Sequence, residues 1–282
     1  MDGSGHLYLI LGHYYFTRVR EGFMSTQKSD IGGNAIIYSY PNGDYDVVCS
    51  SDHWYTPPGW EKAEDFSHPG RADGIGTAKK AREAGIKSQG DDMARSMRRA
   101  RANVRRLALA NEFSYFVTLT LSPDQVDRYD AAAIMKRVNR WLSNMVQRHG
   151  LRYILVPERH KDGAFHFHGF FGGDGLEVVD SGHHDKQGHT IFNLPQWGFG
   201  FTAAIGLYGT YSQAVGYVCK YIGKQDGERP MGRWYYSGGD LMEPQKDYTV
   251  MDYRQLAEDY AGEAVELDIP GSKLLVVHHR NM

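Results

Sequence analysis

One stretch of the chain constrains the fold more than any other, because residues 152–171 have the pattern of two strands joined by a tight turn. The apolar runs 153–156 and 164–171 predict the strands, since both are rich in β-branched or aromatic residues. Between them, Asp162-Gly163 tolerates the positive φ angles that a tight hairpin turn requires. The sequence therefore predicts an antiparallel β-hairpin.

Two histidines on the second strand of this hairpin predict a metal site. Residues i and i+2 of a strand face the same side, so His166 and His168 project together. Antiparallel pairing places Glu158 across the ladder from His166, which adds a carboxylate to two imidazoles. This nitrogen and oxygen set, with open positions, suits Mn²⁺ or Mg²⁺ better than structural Zn²⁺. The alternative is one buried and one surface histidine, with Glu158 as an exposed carboxylate at a strand end.

A second group of chemically active residues lies on a predicted helix from about Ser212 to Lys224. Tyr217, Lys220, Tyr221 and Lys224 recur at i, i+3, i+4 and i+7, which places two phenols and two ammonium groups on one stripe. A phenol has a pKa of about 10. Adjacent lysines favour the phenolate and also hold phosphate oxygens. The pattern predicts attack of a tyrosine on a phosphodiester, with a metal ion opposite that polarises the phosphate. An ordinary surface face of the helix is the alternative.

The remaining elements follow from local patterns. Residues 115–121 predict a strand, and apolar residues at helical spacing predict a helix over 130–148, with Asp130 as its N-cap and Gly150 just past its end. Weaker patterns predict a strand pair, an irregular loop, a further strand and a final strand, at residues 34–49, 173–198, 199–207 and 233–237. This order predicts an α+β fold, with a central antiparallel sheet of about five strands and helices packed on one face.

Charge is distributed unevenly along the chain, although the net charge of the 282 residues is only −2. Residues 79–111 carry a net charge of +7, and residues 225–282 carry −5. The basic part includes a predicted helix over 91–111, and its candidate DNA-binding residues are Arg95, Arg98, Arg99, Arg105 and Arg106. Arginines at this density hold phosphates, so the pattern predicts a face for a polyanion. A solvated helix face is the alternative.

Cysteine content and hydropathy bear on the compartment. Cys49 and Cys219, the two cysteines, form no disulfide framework, which favours a reducing compartment. The apolar stretch 7–16 is too short to span a bilayer, and no basic segment of a signal peptide precedes it. The sequence predicts a soluble protein of the cytoplasm with no membrane partner.

Three motifs occur in an order that resembles one enzyme family. Residues 116–120 (Phe-Val-Thr-Leu-Thr), 166–168 (His-Phe-His) and 217–221 (Tyr-Val-Cys-Lys-Tyr) are similar to motifs one, two and three of the HUH-superfamily rolling-circle replication initiators. The closest resemblance is to the initiators of microviruses, filamentous phages and related plasmids. It covers about residues 113–237 and implies an HUH-endonuclease fold, which is RRM-like.

The resemblance implies an endonuclease, dependent on Mg²⁺ or Mn²⁺, that nicks single-stranded origin DNA and stays joined to the 5′ end through a phosphotyrosine. A host polymerase then extends the free 3′ hydroxyl, and a later transfer rejoins the strand. His166 and His168 are the implied metal ligands, and Tyr217 and Tyr221 are the implied nucleophiles. Glu158 is carried over less securely, because the third ligand varies in the family. The chain has no Gly-x-x-x-x-Gly-Lys-Ser/Thr loop, so a host helicase is the expected unwinding partner, in the cytoplasm of a bacterial host.

The sequence thus predicts three parts: an N-terminal extension of short strands and loop over 1–90, an HUH endonuclease domain over 91–240, and an acidic C-terminal extension over 241–282. A non-catalytic origin-binding module with a vestigial metal site stays open as an alternative function. A phosphoesterase with a histidine nucleophile is disfavoured, because Phe170 stands where that motif needs a third histidine. Motif order alone favours Tyr217 for the first cut.

Overall fold

The computed structural model describes residues 32–57, 89–207, 211–222, 229–269 and 271–280. These residues form twelve strands and four helices. In chain order they are β1 (Ala35–Ser39), β2 (Tyr45–Ser50), α1 (Gln89–Ala110), β3 (Tyr115–Thr120), α2 (Ala131–His149), β4 (Arg152–Arg159), β5 (Phe165–Gly172), β6 (Val179–His184), β7 (Thr190–Asn193), β8 (Thr202–Gly206), α3 (Tyr211–Tyr221), β9 (Tyr236–Gly238), β10 (Gln245–Thr249), α4 (Tyr253–Asp259), β11 (Val265–Ile269) and β12 (Ser272–His279). The chain divides into two compact units, the first made of Met1–Gly85 with Gln245–Met282 and the second of Ile86–Pro244.

The first unit is built on a five-stranded antiparallel sheet with the strand order β10-β1-β2-β12-β11. β1 and β2 form the predicted hairpin, in which Ile37 pairs with Val47. Apolar residues of these strands and of β12 pack against Leu256 of α4. Asp252 caps that helix by accepting hydrogen bonds from two backbone N–H groups. The described parts of the predicted N-terminal and C-terminal extensions therefore share one sheet. The division into an endonuclease domain and two extensions stays a prediction.

The second unit is built on a seven-stranded antiparallel sheet with the strand order β6-β7-β8-β3-β5-β4-β9. The predicted hairpin over 152–171 is formed by β4 and β5, and Glu158 pairs with His166 in its register. β3 pairs with the other edge of β5. Both edges of β5 are therefore hydrogen-bonded to neighbouring strands, and the two histidines lie on an interior strand.

The two faces of this sheet are covered by different helices, because successive residues of a strand point to opposite sides. On one face, Phe165, Phe167 and Phe171 of β5 are buried in a core that also contains the apolar residues of α2. The other face carries His166 and His168, and α3 packs there against β4 and β5. α1 packs in turn against α3. The core on one side of the sheet thus fixes which residues are presented on the other.

The predicted ends of helix α2 are confirmed. Asp130 has an extended backbone, and its carboxylate accepts hydrogen bonds from the N–H groups of Ala132 and Ala133. Gly150 has a φ of 61°, in the left-handed region, and its N–H donates to carbonyls of the last helical turn. The helix that supports the core face is therefore delimited by local sequence.

The predicted α+β class with a central antiparallel sheet is confirmed, and two details differ. The sheet has seven strands rather than about five, partly because residues 173–198, predicted as an irregular loop, contain the hairpin of β6 and β7. No residue of β6 is buried, so that strand lacks the apolar alternation by which a strand is recognised. Helices also lie on both faces rather than on one, since α2 and α3 pack on opposite sides.

Among the described residues, no helix combines the length and the apolar character needed to cross a membrane. The apolar stretch 7–16 lies outside the described residues, as does all but the end of the loop predicted between residues 61 and 90.

The close approach of β4 and β5 leads to a stability prediction at Gly169. A Cβ at this position would lie 1.8 Å from the carbonyl oxygen of Ile154 in β4, so one backbone would have to move. We expect Gly169→Ala to lower the free energy of unfolding by about 2 kcal/mol or more, measured by urea denaturation. Gly198→Ala is the matched control, because a Cβ there would meet no atom within 4 Å. Equal losses in the two variants would contradict this account.

Candidate active site

Three strands of the second unit bring the polar residues of the site to one face. Across β3, β5 and β4, Thr118 pairs with His168, and Thr120 and Glu158 pair with His166 from its two sides. Directly paired residues of antiparallel strands point to the same face, so all five side chains project together. The predicted pairing of Glu158 with His166 is confirmed by this register.

Each imidazole contacts a threonine hydroxyl of β3. Thr118 Oγ1 lies 3.1 Å from His168 Nδ1, and Thr120 Oγ1 lies 3.3 Å from His166 Nδ1. A hydroxyl can both donate and accept, so it serves either tautomer of the ring. Both rings are held through Nδ1, which leaves Nε2 as the nitrogen for other partners.

Glu158 contacts the histidine that lies diagonally across from it. Its Oε2 is 2.7 Å from His168 Nε2, and His168 is only 8% exposed. A neutral ring in this arrangement donates its Nε2–H to the carboxylate and accepts the Thr118 hydroxyl hydrogen at Nδ1. His168 is therefore fixed at both nitrogens.

His166 is less enclosed and has a third histidine beside it. Burial lowers the pKa of His166, and the neighbouring His160 lowers it further, while Glu158 and Asp162 act in the opposite direction. The rings of His160 and His166 lie 5.2 Å apart. Sequence analysis did not select His160. Its place on the same strand as Glu158, two residues nearer the turn, was the available signal.

Helix α3 brings two tyrosines to the histidine face. The ring of Tyr221 stacks on His168, with 3.9 Å between centroids and 13° between ring planes. Its hydroxyl donates to Tyr217 Oη at 2.7 Å. Tyr221 is 6% exposed, whereas Tyr217 is 48% exposed. The two predicted nucleophiles therefore lie together beside the histidines, one packed into the site and one open to solvent.

Phe116 connects the first motif to the other two. Its ring meets Tyr217 edge-on at 5.6 Å and lies nearly parallel to the ring of His168 at 6.3 Å. Because Phe116, His168 and Tyr217 belong to three different motifs, this contact shows that the motifs converge in space. The order of the motifs along the chain thus corresponds to a single site.

The two predicted lysines contribute less clearly. Lys220 is exposed on α3, and Lys224 lies outside the described residues. Burial raises the pKa of Tyr221, and donation to Tyr217 and the charge of Glu158 raise it further. This direction is opposite to the one expected from adjacent lysines. Tyr221 is therefore held as the neutral phenol in this arrangement.

The predicted DNA-binding arginines lie on α1, whose bounds are close to the predicted 91–111. Two of the five are exposed and three are half-buried: Arg98 and Arg99, then Arg95, Arg105 and Arg106. Arg95 is also paired with Asp92 at 3.4 Å. The thiol of Cys219 on α3 donates to the carbonyl of Arg101 on α1 at 3.6 Å. The exposed basic surface of α1 therefore adjoins the tyrosine helix.

Within the ranges that the structure describes, no group of three or more His, Cys, Asp or Glu side chains is arranged to hold a metal ion. The contact between His168 and Glu158 accounts for this at the predicted site. His168 Nε2 and Glu158 Oε2 are each turned toward the other, and a metal ion would need both atoms.

Comparison with known proteins identifies the same segment. Residues 114–226 match the family model described as replication-associated protein ORF2. The matched segment begins just before β3 and ends just after α3, so it contains all three motifs. No curated protein and no solved structure matches the chain. The family match supports a replication initiator, which implies interaction with DNA.

The contact between Thr118 and His168 leads to a second stability prediction. Thr118→Val keeps the shape and strand preference of the side chain but leaves a buried imidazole nitrogen without its hydroxyl partner. We expect the free energy of unfolding to fall by about 1 kcal/mol in urea denaturation. Thr190→Val on β7 is the control for the same change of residue. Unchanged stability in Thr118→Val would show that the hydroxyl does not hold the ring.

Proposed function

We propose that this protein initiates rolling-circle replication by nicking single-stranded origin DNA, as an HUH-type endonuclease and strand transferase. The observation that carries the proposal is the stacking of Tyr221 on His168 together with its hydrogen bond to Tyr217. These contacts set two phenols beside two imidazoles and a carboxylate, so both sets of groups can act on one phosphate. The family match over the same segment supports the replication role.

Tyr217 is proposed to make the first attack. Its ring is about half exposed, so a DNA strand can approach it, whereas Tyr221 is buried. Tyr217 also accepts the hydrogen bond of Tyr221. That bond stabilises the negative charge that develops on the Tyr217 oxygen as it loses its proton. Tyr221, whose proton is engaged and whose pKa is raised by burial, is proposed to act second.

In the first step, a bond forms between Tyr217 Oη and phosphorus, and the bond from phosphorus to the 3′ oxygen breaks. The tyrosine proton passes to solvent, and the leaving oxygen takes up a proton to become a free 3′ hydroxyl. One phosphate ester replaces another, so a later attack by a 3′ hydroxyl on the phosphotyrosine can rejoin a strand. Lys220, and Lys224 by sequence position, are proposed to hold phosphate oxygens.

The ligands proposed for Mg²⁺ or Mn²⁺ are His166, His168 and Glu158. The donor set fits these ions, because it combines two imidazoles with a carboxylate oxygen. Both imidazoles are also held at Nδ1 by threonine hydroxyls, and such outer partners commonly orient ligating histidines. When bound, the ion would supply positive charge that polarises the phosphate. Thr118 and Thr120 fix the orientation of the two rings.

The proposed partners follow from the same chemistry. The exposed Arg98 and Arg99 of α1 offer guanidinium groups to the DNA backbone, and Arg95, Arg105 and Arg106 extend this basic surface along the helix. A host polymerase would extend the free 3′ hydroxyl, and a host helicase would unwind the duplex, in the bacterial cytoplasm.

Substitution of the tyrosines gives the direct test of this function. We expect the wild-type protein, with Mn²⁺ and single-stranded oligonucleotides tiled across the replicon that encodes it, to form a protein–DNA adduct that resists SDS. Tyr217→Phe should abolish the adduct in the first turnover. Tyr221→Phe should slow its formation about tenfold, because the phenolate loses one hydrogen bond. Gel mobility in SDS measures both effects.

Tyr129→Phe is the control for these substitutions, because Tyr129 is an exposed tyrosine. Adduct formation by a variant that carries both Tyr217→Phe and Tyr221→Phe would refute the assignment of the nucleophiles. Tight DNA binding by the wild-type protein with no cleavage under any divalent ion would instead identify a non-catalytic origin-binding module.

Metal binding can be measured without any reaction. We expect calorimetric titration with Mn²⁺ to show no detectable binding in His166→Ala and His168→Ala, and a loss of about tenfold in Thr118→Val, which removes an outer partner. His183→Ala on the exposed strand β6 is the control and should bind as the wild type does. Equal Mn²⁺ affinity in all four variants would place the ion elsewhere.

A further inference from the structure

A cavity of about 380 Å³ opens beside the chain segment that leads into β9. It is lined by Ser96 of α1 and by residues between positions 229 and 237. A volume of this size is within the range of small-ligand sites in proteins. All of its lining residues belong to the second unit, and all lie outside residues 114–226, the segment that matches the replication family.

The lining of this cavity is cationic and aromatic. Arg229 and Arg233 are exposed, Tyr235 is half-buried, and Trp234 is buried. The Ser96 hydroxyl accepts hydrogen bonds from Arg229 Nη2 and from Trp234 Nε1, both at 3.0 Å. These bonds position one guanidinium at the cavity. No acidic side chain is among the described residues that line it.

The cavity lies near the catalytic residues along the sheet. Tyr236 of β9 pairs with Leu155 of β4, and Glu158 stands three residues further along β4, which is about 10 Å. Because β9 is antiparallel to β4, the segment before β9 approaches from the end of β4 that carries Glu158. Arg233 and Tyr235 therefore lie toward the site rather than away from it.

We propose that this cavity binds one nucleotide of the single-stranded DNA, at a position that flanks the cut. Arg229 and Arg233 would hold the phosphate, since guanidinium groups pair with phosphate oxygens in a fixed geometry. Tyr235 would stack on the base, as aromatic side chains do in single-strand binding proteins. The proposal deepens the proposed function and rests on it for the identity of the strand. Because the cavity is absent from the family-matched segment, it would supply recognition particular to this chain.

Equilibrium binding of a fluorescein-labelled oligothymidylate of about 20 nucleotides, measured by anisotropy in EDTA, tests the cavity apart from catalysis. We expect the variant with Arg229→Gln and Arg233→Gln to lose about tenfold or more in affinity at 0.15 M salt. The slope of log affinity against log salt should become shallower by about 1.4, because two phosphate contacts on a single strand are lost. Tyr235→Ala should lose about tenfold, and Tyr235→Phe should bind as the wild type does.

The matched control carries Arg140→Gln and Arg148→Gln, two exposed arginines of α2, which covers the opposite face of the sheet. It removes the same charge and should change affinity by less than about threefold, since only general electrostatic attraction is reduced. Equal losses in the two double variants would overturn the proposal, as would failure of the wild-type protein to bind the oligonucleotide.

Adduct formation separates this proposal from the proposed function. At saturating origin DNA, the cavity variants should still form the SDS-resistant adduct, because their tyrosines are intact. If the cavity variants alone lose affinity and the wild-type protein cuts no DNA, the nuclease proposal fails and the cavity stands. If the wild-type protein cuts and both double variants bind alike, the cavity proposal fails and the nuclease stands.

Discussion

The register of β3, β5 and β4 is the constraint on which the rest of the site depends. A shift of one residue would turn His166 and His168 toward α2 and expose Phe165 and Phe167 on the other face. The buried phenylalanines prevent this shift, because they contribute to the apolar core beside α2. The hydrophobic core thus determines, through strand alternation alone, which polar groups meet on the opposite face. Gly169 supports the same register by allowing the backbone of β4 to come close.

The second determining contact is the packing of α3 on that polar face. Tyr221 serves as an anchor, since it is buried and stacked on His168. The same burial makes its hydroxyl a weak acid. Tyr217, one helical turn earlier, is positioned by this anchor and by the edge of Phe116, while its ring stays accessible. Structural and chemical roles are therefore divided between two identical residue types four positions apart.

Much of this arrangement could be predicted from the sequence, because its signals are local. The Asp162-Gly163 turn and the alternation beside it determine the hairpin, and Asp130 and Gly150 delimit α2. Contacts between distant residues were not predictable in the same way. The threonine of the first motif meets His168 across 50 positions of chain.

Helical spacing was a further limit on prediction. It placed Tyr217 and Tyr221 on one stripe but carried no information on how deeply α3 packs, so their difference in burial was not foreseen. The exposed strand β6 escaped notice because neither of its faces is apolar. The strands β10, β11 and β12 lie in a stretch whose acidic composition suggested only a solvated extension.

The hydrogen bond from Tyr221 to Tyr217 has a direction, and that direction has a consequence for timing. An aryl phosphate oxygen is a poorer acceptor than a free phenol or a phenolate. On the proposed function, esterification of Tyr217 would therefore weaken the bond that occupies the Tyr221 proton. Covalent attachment of the strand at one residue would thus release the other, and the chronology of two transfers would be encoded in a single donor–acceptor pair.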